Sequence, residues 1–129
     1  MAETLVSFEL SKLAKEAGFT EEVLHAYIIE TESLEDYTIE GGYYNYNIEN
    51  SKCISAPTLS LLQKWFREVH NIHVEVYNEF DKYITLIHTT IYMDEVRHRK
   101  EDWSSKGPHN TYEEALEKGL FEAFKLIKK

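Results

Sequence analysis

One change of rhythm constrains this chain more than any other feature. Across SAPTLSLLQKWFREVHN, Leu62, Trp65, Phe66 and Val69 recur at spacings of three and four. That is the period of a helix with one buried face. Gln63, Lys64, Arg67 and Glu68 take the other side. From Ile72 the period becomes two: Ile72, Val74 and Val76 point one way, His73, Glu75 and Tyr77 the other, as in a strand. Asn71 stands between the two patterns. Its side chain tolerates positive φ, so it is the predicted left-handed stop of the helix. Pro57 suits a first helical turn, where its missing N–H would have no partner anyway.

After a turn at NEFDK, YITLIHTTIYM reads as a second strand, paired with the first in an antiparallel hairpin. Ile84, Leu86 and Tyr92 fall on one face, Tyr83, Ile87 and Ile91 on the other. A strand apolar on both faces is usually covered on both. Helices can roof one side; the tyrosine-rich segment or a second copy of the chain is expected on the other. DEVRHRKEDWSSKGPHN is polar and turn-rich, with room for a short third strand around Val96 or Trp103. TYEEALEKGLFEAFKLIKK is a clear helix. Thr111 and Glu114 have capping-box spacing, so each side chain can take the other's free N–H. Glu113 and Glu114 at the start, and Lys125, Lys128 and Lys129 at the end, suit the helix dipole. Tyr112, Ala115, Leu116, Gly119, Leu120, Ala123 and Ile127 line one face, with Gly119 placed for close approach to the sheet.

The N-terminal part is less explicit. VSFELSKLAKEAGF predicts a helix capped by Ser7 and ended by Gly18, with Phe19 folding back on its last turn. LHAYII fits a strand or a short helix. EDYTIEGGYYNYNIEN, with its Gly-Gly pair, suggests a hairpin or a wide loop. The expected fold is α+β, a single domain over residues 1–129. Residues 1–53 form an acidic, tyrosine-rich part with an N-terminal helix. Residues 54–129 form a helix–strands–helix core, a two- or three-stranded antiparallel sheet packed by two amphipathic helices.

Charge narrows the partners. The net charge is −9, and residues 1–50 carry eleven acids against Lys12 and Lys15, which accounts for all of it. Such a region repels phosphates and attracts a basic partner. Direct nucleic-acid binding is therefore not expected, although Arg97, His98, Arg99 and Lys100 form a compact basic run. No apolar run approaches the roughly 18 residues of a membrane span, and the first residues lack a signal peptide's basic start. A single cysteine, Cys53, cannot form an internal disulfide. A cytoplasmic protein without membrane association is the expectation.

Candidate chemistry centres on His70 and His73. Two zinc ligands need a third and usually a fourth. His88, His98, His109 or Glu75 could supply one, but no spacing demands it, and His70 is explained by a last helical turn. The five glycines form no phosphate loop, and there is no C-x-x-C pair or G-x-S-x-G elbow. No catalytic residue, metal or cofactor is assigned, and the chain is not expected to be an enzyme.

The stretches Ile54–Val76, with SAPT, LLQKW and REVHNIH, and Thr111–Ile127, with TYEEAL, resemble a family of small uncharacterised proteins encoded in phage and prophage regions of gut bacteria. They cover about a third of the chain. The resemblance implies a mobile-element origin and an α+β fold, and it carries no activity or site residue.

These readings favour a non-catalytic interaction protein with a protein partner, either itself or a host or phage protein. The expected surface is Tyr37, Tyr43, Tyr44, Tyr46, Glu35, Asp36 and Glu40, since tyrosine pairs an apolar ring with a polar tip. One alternative is an acidic mimic that inhibits a host nucleic-acid-binding protein through Glu21, Glu22, Glu30, Glu32, Glu35, Asp36 and Glu40. Another is a small histidine–carboxylate hydrolase, which needs His70 or His73 beside an acid.

Overall fold

The computed structural model describes residues 4–36, 43, 45–49, 51–79, 82–93, 96–104 and 109–127. They form an α+β fold with three helices and two antiparallel sheets. The chain divides into two compact units, Met1–Thr58 and Leu59–Lys129.

In the first unit, α1 spans Phe8–Glu16. Ser7 Oγ accepts the Leu10 N–H at 3.2 Å, as an N-cap should. Gly18 has φ of 91°. Its N–H donates to the Lys15 carbonyl at 3.1 Å, and the Phe19 N–H donates to the Ala14 carbonyl at 2.9 Å. These are the two bonds of a Schellman end, and they carry Phe19 into the core with Leu10 and Ala14. LHAYII resolves as a strand, β1 (His25–Ile28), paired with β2 (Leu34–Asp36) on one side and β3 (Cys53–Ser55) on the other. The β1–β2 turn places Glu32 at φ 58°. The hairpin expected around Gly41–Gly42 lies outside the described residues. Tyr27 points inward: its hydroxyl donates to the Val6 carbonyl at 2.7 Å and its ring meets Phe8 edge-on.

The second unit contains α2 (Leu59–Val69), β4 (Ile72–Glu79), β5 (Lys82–Met93), β6 (Val96–Ser104) and α3 (Tyr112–Phe124). Its sheet order is β4-β5-β6, all antiparallel. The third strand is nine residues long and takes in both Val96 and Trp103. Its charges suit an outer strand, where they discourage further pairing. Asn71 adopts φ of 55° and ends α2 as expected. Pro57 does not sit in the helix: its carbonyl accepts the Val6 N–H at 3.0 Å, and Thr58 bridges to Leu5. The pairing holds Pro57 extended, so α2 begins later, at Leu59.

Leu62, Trp65 and Phe66 of α2, and Ala115, Leu116, Leu120 and Ala123 of α3, are buried with Ile72, Val74 and Ile87. Phe66 and Phe124 meet edge-on at 4.7 Å, and Trp65 meets Phe66 at 5.2 Å. Val69 leaves the expected stripe and is 57% exposed, because the helix ends there. Gly119 does lie against the sheet: a Cβ there would sit 2.4 Å from Thr85 Cγ2 and 2.7 Å from Val74 Cγ1. The Thr85 hydroxyl donates to the Ala115 carbonyl at 2.6 Å, tying the same contact. The α3 cap is half as expected. Thr111 Oγ1 accepts the Glu114 N–H at 3.1 Å, but Glu114 Oε2 reaches the Asn110 N–H, one residue earlier, at 3.3 Å. The helix ends at Phe124, so Lys125 serves its terminus while Lys128 and Lys129 lie outside the described residues.

Candidate functional site

Strand alternation sorts the second unit's sheet into two faces. Ile72 and Val74 pair with Thr89 and Ile87 on the face roofed by the helices. The opposite face carries His73 across from His88, Glu75 across from Leu86, and Tyr77 across from Ile84. The four polar side chains among these six form one cluster. The His73 and His88 rings stack at 4.8 Å with planes 2° apart. Glu75 Oε1 lies 3.0 Å from His88 Nε2, and its other oxygen accepts the Tyr77 hydroxyl.

The carboxylate thus bridges a phenol and an imidazole. It favours the proton on His88 Nε2, since a carboxylate can only accept. Nδ1 is then left as an acceptor when the ring is neutral. That nitrogen is buried and has no hydrogen-bond partner among the described residues. A carboxylate that orients an imidazole is the arrangement used in general-base chemistry.

His70 is elsewhere. Its ring packs edge-on against Trp65 at 4.7 Å, on the helix side of the sheet, and its Nε2 is buried with no hydrogen-bond partner among the described residues. Burial holds its imidazole below the ordinary value. His70 and His73 are therefore brought to opposite sides of β4. His88 and Tyr77 are the partners that sequence reading did not assemble, because they depend on hairpin register. His109 pairs through its backbone with Tyr83 at 2.8 and 2.9 Å. The side chain of His98 is not among those described. Among the described residues, no group of three or more His, Cys, Asp and Glu side chains could hold a metal.

The expected interaction surface lies in the first unit. Glu35 is exposed on β2, and Asp36 ends that strand. Tyr43 is 66% exposed. Tyr46 is half-buried, with its N–H donating to Ser55 Oγ at 2.8 Å. Tyr37, Tyr44 and Glu40 lie outside the described residues. Three residues not singled out from sequence are also exposed in this unit: Ile29, Leu34 and Ile48, by 41–45%. Isoleucine and leucine read by default as core, so only the short strands reveal them. Ile29 borders β3 through its N–H to the Lys52 carbonyl, and the Ile48 carbonyl accepts from Ser51. Glu30, Glu32, Glu35 and Glu49 are exposed along the same turn, strand and loop.

Comparison with protein-family models, with curated proteins and with solved structures finds no match. Among the described residues, no helix is long and apolar enough to cross a membrane.

Proposed function

We propose that this is a non-catalytic interaction protein of phage or prophage origin, acting in the cytoplasm, which presents the acidic surface of its first unit to a protein partner. The observation that carries the reading is the exposure of Ile29, Leu34, Tyr43 and Ile48 among Glu30, Glu32, Glu35 and Glu49. Exposed apolar side chains with a charged rim are the usual composition of a recognition surface. The glutamates favour a partner with a basic rim around an apolar centre. The likeness of the SAPT–REVHNIH and TYEEAL stretches to the phage-borne family supports the origin. Mimicry of nucleic acid has less support, because Glu21 and Glu22 lie in a loop, Glu30 and Glu32 in a turn, and Glu35 on a strand.

The test is quantitative mass spectrometry of proteins retained from host extract. The bait is either the native protein or the Ile29→Ser/Leu34→Ser variant, whose substitutions fall on exposed positions. A basic partner should be retained by the native bait and drop at least about tenfold with the variant, and added salt should weaken it. Equal retention by both baits would end the reading.

A histidine–carboxylate hydrolase is the second reading, favoured by the Glu75–His88 pair. It predicts turnover of activated esters or phosphodiesters that Glu75→Gln lowers by about 10²-fold or more, the scale of general acid–base catalysis. Turnover unchanged by that substitution would remove it.

A further inference from the structure

Beyond the last β4 pair, Ile72 with Thr89, β5 continues for four residues, Thr90 to Met93. These pair with β6 through Arg99, His98, Arg97 and Val96. The other edge of this two-stranded arm meets no strand among the described residues. The cause is Asn71. Its positive φ turns the chain out of the strand direction just before Ile72, so β4 starts late and leaves a step about 13 Å long at roughly 3.3 Å per residue.

The sheet's other edges are guarded. β6 carries five charged residues in nine, Arg97, Arg99, Lys100, Glu101 and Asp102. On β4, Gln63 Nε2 donates to the Val74 carbonyl at 2.6 Å. Thr90, Ile91, Tyr92 and Met93 include no charge and no proline, the residues that normally block edge pairing. Leu59–Lys129 holds eleven bases against twelve acids, so two copies of this unit meet with little net repulsion.

We infer that the step is a self-pairing edge, where β5 of a second copy adds antiparallel to Thr90–Met93. This deepens the reading of the chain as an interaction protein and rests on it. Length supports a second copy. β5 of the incoming chain presents the same short unpaired end before its strand stops at Met93 and the chain returns as β6, so the two ends can lie side by side over Ile91–Met93. Symmetry fixes the register. A two-fold perpendicular to the sheet keeps the faces of both copies aligned, so opposed residues must share parity. Centring on Ile91 would lay Met93 beside Thr89, the place already held by Ile72. Centring on Tyr92 sets Ile91 opposite Met93 and leaves Ile72 undisturbed. The result is a continuous ribbon, β6-β5-β5-β6. Three residues per copy are a small contact, so the association is expected to be weak and concentration-dependent.

The experiment uses the purified full chain. Sedimentation across the micromolar range should show a monomer–dimer equilibrium. In a Cys53→Ser background, Tyr92→Cys should form a disulfide-linked dimer under mild oxidation, because paired positions on the axis bring like residues together, whereas Lys100→Cys on the guarded edge should not. Tyr92→Lys, which sets two lysines opposite one another on the axis, should shift the native protein to monomer, while Ile29→Ser/Leu34→Ser should leave the dimer intact. A native protein that stays monomeric, or equal crosslinking at positions 92 and 100, overturns the inference. So does a dimer lost with Ile29→Ser/Leu34→Ser but kept with Tyr92→Lys, although that result would still support the first unit's surface. A monomer that binds a fluorescent DNA duplex through the basic arm also overturns it.

Discussion

The two units hold their sheets together by different means. Strands in the first have four, three and three residues; in the second they have eight, twelve and nine. Short strands make few ladder bonds, so the first unit relies on side chains to close its edges. Asn47 shows this best. Its Oδ1 accepts the Ser55 N–H at 2.9 Å on the outer edge of β3, and its Nδ2 donates to the Phe19 carbonyl at 2.9 Å. The second unit relies on bulk: Trp65, Phe66 and Phe124 pack ring to ring while α3 presses Gly119 onto the sheet. Polar closure confers specificity with little apolar burial, whereas long paired strands under two helices bury more and should open last.

Phe66→Ala tests this contrast most severely. Phe66 is fully buried against Trp65 and Phe124, and its loss should cost about 3–5 kcal/mol. Denaturant unfolding gives the total, and faster amide exchange in β4 and β5 localises it. Asn47→Ala should cost about 1–3 kcal/mol, because it strips a partner from Ser55 and Phe19 at once. Exchange should rise first around β3 and the end of α1. If Asn47→Ala leaves those amides protected, polar closure is not what holds the first unit.

Gly119→Ala sharpens the account of the second unit. Alanine improves helix propensity by about 1 kcal/mol, yet its Cβ would overlap Thr85 and Val74. Both neighbours are β-branched and stiff, and overpacking of this kind costs about 1–3 kcal/mol. The net result should be a lower denaturation midpoint. A higher one would show that α3 can withdraw from the sheet.

The smallest expected effect is a pH dependence at His70, whose imidazole burial holds below its ordinary value of 6.5. As pH falls through that value, the unfolded chain takes up a proton before the folded one does, so stability is lost on acidification. The contribution is fully present above it. His70→Phe keeps a ring against Trp65 and should flatten the part of the curve that falls as pH drops below the ordinary imidazole value. Identical profiles for both proteins would show that His70 does not carry the dependence.

Local signals were legible in the sequence. Ser7, Gly18, Phe19, Asn71, Thr111 and Gly119 each do what their residue type suggested, because caps, stops and close approaches depend on a few neighbouring residues. Alternation placed Ile72 and Val74 under the helices and His73 and Glu75 away from them. The β6 strand was harder to see, since RHRKED has the composition of a turn and becomes a strand only by pairing with β5. The β1–β2–β3 sheet was hidden in the same way, as strands of three or four residues show no periodicity. The Glu75–His88 contact depends on register across the hairpin. The pairs Glu79–Lys82 and His73–His88 share one register, so a correct guess at the turn would have revealed the cluster. Pro57 misled because its value at a helix start was outweighed by the Val6 bond to its carbonyl.

The junction at Asn71 also sets how this chain can tolerate insertions and deletions. Adding or removing one residue between Val69 and Ile72 would reverse the alternation of β4, turning Ile72 and Val74 to the side of His88 and driving His73 and Glu75 under the aromatic roof. A change of two residues would preserve it. The linker's length is therefore constrained to even steps, a requirement that no single-residue substitution would expose.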